Sequence, residues 1–224
     1  MSLVKKILEY SIEKDLGHIP SALSMLDYLE YLFRNHLDRD WNIVIGKPYG
    51  AQAYYIIWKE LYGLDIDNLS YGVKHNEIDF VDYGEETLGN ALGIASGMSY
   101  NKKPTWCNIS DAVLQMGSTL EAMQFIGKNK QDILLTVDYN NMQLTGRNDQ
   151  NIIDAYSLFF DFGWNVLLVK NKDYSKIKGF MKKKGPKVIL FQTIKGDTVR
   201  EMEENPIKWH YKKLGSLDEI TYSK

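Results

Sequence analysis

A chain of 224 residues with 44% hydrophobic and 25% charged residues has the composition of a globular protein and is long enough to bury a sizeable core. The formal net charge of -2 gives no electrostatic basis for binding nucleic acid or an anionic membrane surface. The single cysteine, Cys107, excludes an internal disulfide and fits a reducing cytoplasm, while no apolar run approaches the roughly 20 residues a membrane span needs. The N-terminus lacks a basic region followed by an apolar run and a cleavage site, so no signal peptide is expected.

Residues 3–14 read as a short amphipathic helix, and residues 21–35 carry apolar side chains at helical spacing with Ser21 as N-cap. His36 then reads as a surface residue at the end of that helix. Trp41 to Ile45 has the character of a short strand, and residues 50–62 form an aromatic-rich helix whose tyrosines and tryptophan are packing residues. From residue 87 the chain alternates. Helices are expected at 87–99, 113–127, 150–161 and 173–184, and strands at 104–109, 132–137, 165–170 and 187–193. The run Lys182-Lys183-Lys184 reads as a solvated helix end, and Cys107 as a small core residue of its strand. The tail from Lys195 is polar and poorly periodic, as expected of a segment wrapping the surface or a partner.

Helices alternating with short, continuously apolar strands predict an α/β fold with a central parallel sheet covered by helices on both faces. In such sheets ligands bind beyond the carboxyl ends of the strands. Asp111 directly follows the strand at 104–109, and Asn140 follows the next strand in Val137-Asp138-Tyr139-Asn140-Asn141. A carboxylate and a carboxamide therefore meet at one sheet edge, where the backbone just beyond Asn140 can add a carbonyl. Three protein oxygens suit a hard cation such as Mg²⁺, which usually completes its octahedron with phosphate oxygens and water. Turn formation alone is the competing account of an Asp or Asn after a strand.

The segment from Gly89 to Gly146 resembles the cofactor motif of transketolases. That motif opens with Gly-Asp-Gly and closes with an asparagine; here it opens with Ser110-Asp111-Ala112, and Asn140 follows Asp111 by 29 residues. Leu114-Gln115-Met116-Gly117 with Glu121-Ala122 is similar to the family's L-x-E-G followed by E-A, and Val137 to Gly146 to its closing strand and loop. Gly17-His18-Ile19-Pro20-Ser21, Gly46-Lys47-Pro48-Tyr49, Thr87-Leu88-Gly89-Asn90, Phe162-Gly163-Trp164-Asn165-Val166, Thr193-Ile194-Lys195-Gly196, Met202-Glu203 and Trp209-His210 resemble further family segments in the same order. The resemblance implies thiamine diphosphate held through Mg²⁺, with Asp111, Asn140 and the Met142 carbonyl as metal ligands and Asn141 as a substitute ligand. It places Gly89, Ser110 and Ala112 against the cofactor, and His18, Tyr49, His75 and His210 around the substrate channel.

Both glycines of Gly-Asp-Gly are replaced, Met116 stands for the family's glutamate, Tyr49 for a histidine, and Pro20 for a glycine. A tyrosine can hydrogen-bond but cannot become an imidazolium. The resemblance further implies that residues 1–224 form one diphosphate-binding domain, with the pyrimidine-binding domain on a separate chain. The expected assembly is a dimer of heterodimers that transfers two-carbon ketol units between sugars or sugar phosphates. Two other readings stay open. One is a specialised acyloin-forming or decarboxylating subunit, and the other a regulatory subunit that has lost the cofactor.

Overall fold

The computed structural model describes residues 2–101, 103–148 and 150–223. Helices α1 (Leu3–Glu13), α2 (Ile19–Asn35) and α3 (Gln52–Tyr62) form the first half with strand β1 (Asn42–Ile45) and the two-residue strand β2 (Tyr83–Gly84). Then follow α4 (Ala91–Met98), β3 (Thr105–Ser110), a 3-10 turn over Asp111–Gln115 and α5 (Gly117–Lys128). After β4 (Ile133–Tyr139) comes a small hairpin of β5 (Met142–Gln143) and β6 (Gly146–Arg147). The chain continues through α6 (Ile152–Asp161), β7 (Asn165–Val169), α7 (Ile177–Phe180), β8 (Lys187–Gln192) and α8 (Arg200–Glu204).

Six strands form one parallel sheet in the order β2-β1-β3-β4-β8-β7. Alternation along each strand feeds two cores. Trp106, Leu134 and Ile189 pack with α1, α2 and α3, whereas Cys107, Leu135 and Val188 pack with α4, α5 and α6. The expected parallel sheet with helices on both faces is thus the observed one. Both neighbours of β1 come later in the chain, so the connections run first one way and then the other. A crevice opens beyond the strand ends at such a point. No helix among the described residues is long and apolar enough to cross a membrane.

Several boundaries differ from the sequence reading. Helix α2 begins at Ile19, not Ser21, because Pro20 is preorganised for a first helical turn. Its N-cap is His18, in a left-handed conformation at φ 53°, with no side-chain cap. The segment 87–99 becomes helical only from Ala91, whose N–H donates to buried Glu85 Oε1 at 3.1 Å, while Gly89 holds φ +116°. The segment 113–127 is broken at Met116, which is extended at ψ 132°. Of 173–184 only Ile177–Phe180 is α-helical.

His36 lies just past α2 and is half-buried against Tyr31, so it is not a plain surface residue. The aromatic stretches at 28–33 and 54–58 serve packing: Tyr28, Phe33, Tyr54, Tyr55 and Trp58 are buried in the first core. The tail is also no loose wrap. Val199, Met202, Trp209 and Leu214 are buried in that same core, so burial too sparse for a periodic pattern fixes its course.

Gly127 shows how tightly α5 sits against the turn into β7. A Cβ there would stand 1.9 Å from the Phe162 carbonyl oxygen, whereas one at Gly179 meets nothing within 4 Å. Gly127→Ala is expected to destabilise the chain by about 2 kcal/mol or more in urea unfolding. Gly179→Ala is expected to be neutral or to stabilise by up to about 1 kcal/mol. Equal effects would mean that α5 does not approach the turn as described.

Candidate functional site

Four strand ends, the start of α2 and the tail converge at the carboxyl edge of the sheet. At their centre is Lys47, just beyond β1, whose buried ammonium forms an ion pair with buried Asp138 near the end of β4. Lys47 Nζ also donates to the Ser21 carbonyl at 3.1 Å and to Ser24 Oγ at 3.2 Å. Asp138 accepts from Ser24 Oγ at 2.6 Å, from Asn140 Nδ2 at 2.9 Å and from Thr193 Oγ1. Burial alone would raise the Asp138 carboxyl, but Lys47 and these donors hold it below the ordinary carboxylate range.

Asp111 has the opposite environment. It is wholly buried, its Oδ1 accepting from the Ala112 N–H at 2.9 Å and its Oδ2 from the Asn141 N–H at 2.6 Å. Among the described residues no cationic side chain pairs with it. Burial, followed by repulsion from Asp138, raises its pKa to about 7. Asn140 turns its Nδ2 to Asp138, and its Oδ1 accepts from the Met142 N–H at 3.0 Å. Asn141 adopts φ 60°, and its buried Oδ1 has no hydrogen-bond partner. An oxygen set with an uncompensated buried carboxylate and an orphaned carboxamide oxygen fits a hard divalent cation.

Beside this edge lies a cavity of about 450 Å³. Ser110, Ala112, Asn140 and Met142 line it, and so do His18, Tyr49 and His210. Gly89 sits behind it: its carbonyl accepts from Ser118 Oγ at 2.8 Å, and its neighbour Leu88 reaches the cavity. His75 is not brought in. It is exposed and stacked against Tyr83, and does not line the cavity.

The sequence reading passed over Lys47, Asp138 and Lys195 as functional groups, although the family-like segments it quoted contain all three. Tyr71 and Tyr211, which also line the cavity, carried no local signal. Lys195 is buried at 3.2 Å from His210 Nδ1, and burial, then Lys47, lowers its pKa to about 8. Lys195, and Lys47 already paired with Asp138, place two ammonium groups beside the cavity, the kind of donor that a diphosphate accepts from. Together with the oxygen set at Asp111, they make the residues present fit a diphosphate-bearing cofactor anchored through a metal ion.

No protein-family model matches the chain. Rat and human transketolases are each 29% identical to it over 88% of its length, and the chain spans 36% of each relative. Mouse transketolase-like protein 2 is 25% identical over the same share. Among solved structures, transketolase from Campylobacter jejuni superposes over 93% of this chain and 39% of its own, with a TM-score of 0.76 and 20% identity. That from Leishmania mexicana superposes over 90% and 38%, with a TM-score of 0.73 and 18% identity.

Burial, then His210, Lys195 and Lys47, lowers His18 to about 3; burial and the two lysines lower His210 to about 4. Folded, both imidazoles are neutral at pH 7. Unfolded, they gain protons below about 6.5. Each therefore costs stability as the pH falls from about 6.5 toward its folded value, and neither does so above that window. A single such histidine contributes up to about 1.4 kcal/mol per pH unit. His18→Asn, which tolerates the left-handed backbone, should flatten the dependence of unfolding free energy on pH between 6.5 and 4. An unchanged slope in urea titrations would show that the folded protein protonates His18.

Proposed function

We propose, on the premise that this chain is a transketolase homologue along most of its length, that it is the diphosphate-binding part of a thiamine diphosphate- and Mg²⁺-dependent transferase. In this reading Asp111, Asn140 and the Met142 carbonyl hold the metal, and Gly89, Ser110 and Ala112 form the cofactor's surroundings. His18, Tyr49 and His210 face the substrate; His75, which does not line the cavity, is left out. The observation that carries the proposal is the buried carboxylate of Asp111. Among the described residues no cationic side chain pairs with it directly, and it stands among oxygen donors beside a cavity with two lysines.

When bound, the cofactor supplies the electron sink for carbanion chemistry. The chain's own residues supply binding, orientation and a dry environment. Lys195 and Lys47 offset diphosphate charge. His18 and His210, neutral at pH 7, can donate or accept a hydrogen bond at a substrate hydroxyl without carrying charge. The reaction class proposed is two-carbon ketol transfer between sugars or sugar phosphates. Tyr49, Ser110 and Ala112 favour, as a second reading, a specialised acyloin-forming or decarboxylating reaction on the same cofactor. The uncompensated charge of Asp111 argues against a regulatory subunit that has lost the cofactor, because a chain free of that duty gains stability by replacing it.

The curated relatives are much longer than this chain. We place the remaining function, including pyrimidine binding, outside residues 1–224.

Calorimetric titration of the protein with thiamine diphosphate and Mg²⁺ tests the site. Asp111→Ala should abolish magnesium-dependent binding, and Asn140→Ala should weaken it on the order of tenfold, the loss of one neutral ligand interaction. Unchanged affinity in Asp111→Ala rejects the assignment. A larger loss in Asn141→Ala than in Asn140→Ala moves the carboxamide ligand by one residue.

A further inference from the structure

The imidazoles of His18 and His210 stand 4.8 Å apart in the cavity wall. The His18 amide donates to the His210 carbonyl at 3.1 Å, which ties the start of α2 to the tail. Both rings are neutral at pH 7, since burial above all keeps their pKa values at about 3 and about 4. A neutral imidazole carries its one proton on either nitrogen, so in general it can donate or accept at both. Here the group beside each Nδ1 removes that choice.

For His210 that group is Lys195. Its Nζ lies 3.2 Å from His210 Nδ1, and with a pKa of about 8 it is chiefly an ammonium at pH 7. An ammonium has no lone pair and can only donate. Nδ1 is therefore the acceptor, and the ring's single proton sits on Nε2.

For His18 the group is Tyr71, whose hydroxyl shares a hydrogen bond with Nδ1. Burial, then Tyr211 and Tyr49, raises that hydroxyl to about 12, so it keeps its proton at pH 7. The Gly17 amide acts as a donor to the same oxygen, which leaves the tyrosine's own proton for Nδ1. Only a glycine admits the approach: a Cβ at residue 17 would stand 3.0 Å from the Tyr71 hydroxyl and 2.8 Å from the Tyr211 carbonyl oxygen. Tyr49, nearly parallel at 5.0 Å, and Tyr211, edge-on at 4.9 Å, hold the His18 ring against turning over. Among the described residues no protein group bonds the Nε2 of either ring, and neither Nε2 is buried out of reach.

We propose that Tyr71 and Lys195 are positioning residues: by donating to the two Nδ1 atoms they hold His18 and His210 as their Nε2–H tautomers, so a ligand oxygen beside these rings meets hydrogen-bond donors only. The relevance to substrate rests on the reading that both imidazoles face it. The tautomers themselves do not, and they are measured without substrate or cofactor. The full chain labelled with ¹⁵N at histidine is observed at pH 7 by long-range ¹H–¹⁵N correlation, which distinguishes protonated from unprotonated ring nitrogens. His18→Asn and His210→Gln assign the signals by their loss.

In the parent chain both rings should carry the proton on Nε2. Tyr71→Phe keeps the aromatic ring and removes the donor; the two His18 nitrogen shifts should then converge as its tautomers mix, while His210 keeps its pattern. Lys195→Met should do the reverse, mixing His210 and sparing His18. A purely structural role for either residue would not move these shifts selectively. The proposal is overturned if either ring carries its proton on Nδ1 in the parent, or if the folded Tyr71→Phe chain retains the parent pattern at His18. The parent spectrum decides by itself should a variant not fold. Absence of thiamine diphosphate binding to the parent protein would instead overturn the reading of the cavity.

Discussion

The buried ion pair between Lys47 and Asp138 is the constraint on which the arrangement of the site depends. Two charges taken out of water are tolerated only when their remaining hydrogen-bonding capacity is met. Here the Ser21 carbonyl, Ser24 Oγ, Asn140 Nδ2 and Thr193 Oγ1 meet it. These partners belong to α2, to the end of β4 and to the segment after β8, so one pair ties three elements to the end of β1. It also fixes Asn140: with Nδ2 given to Asp138, the carboxamide oxygen points the other way, toward the Met142 amide.

The same pair sets two carboxylates apart. Asp138 is held low by its lysine, while Asp111, equally buried, is raised to about 7. Environments that push two nearby acids in opposite directions mark division of labour. One carboxylate completes the scaffold, and the other is left without a directly paired cationic side chain among the described residues. Ser110, Ala112 and Tyr49, three of the five positions that depart from the resemblance, line the cavity, whereas Met116 and Pro20 do not. The fold positions the site, and side chains at its surface set what it accepts.

Much of this was legible in the sequence. The strands at 104–109, 132–137 and 187–193 are apolar on both faces because both faces are covered, and such runs stand out without alignment. Asp111 and Asn140 were legible because polar residues after such strands must lie at the ligand-binding edge. Helix starts at 87 and 113 were misplaced because local turn chemistry, at Gly89 and Met116, interrupts a pattern that periodicity reads as continuous. The anchors of the tail, Val199, Met202, Trp209 and Leu214, gave no signal because they are too far apart to show a period. Tyr71 and Tyr211 could not be found, since an exposed tyrosine in a loop acquires meaning only from the rings that the fold brings beside it. His75, exposed in its own loop, does not join the cavity lining.

The most direct test of the central claim, a metal-anchored cofactor at the carboxyl edge of the sheet, is anomalous diffraction from crystals grown with thiamine diphosphate and Mn²⁺ in place of Mg²⁺. The account predicts one strong anomalous peak bonded to Asp111, Asn140 and the Met142 carbonyl, with density for a diphosphate beside it in the cavity lined by Ser110 and Ala112. A cofactor bound elsewhere, or an anomalous peak that avoids Asp111, would contradict it.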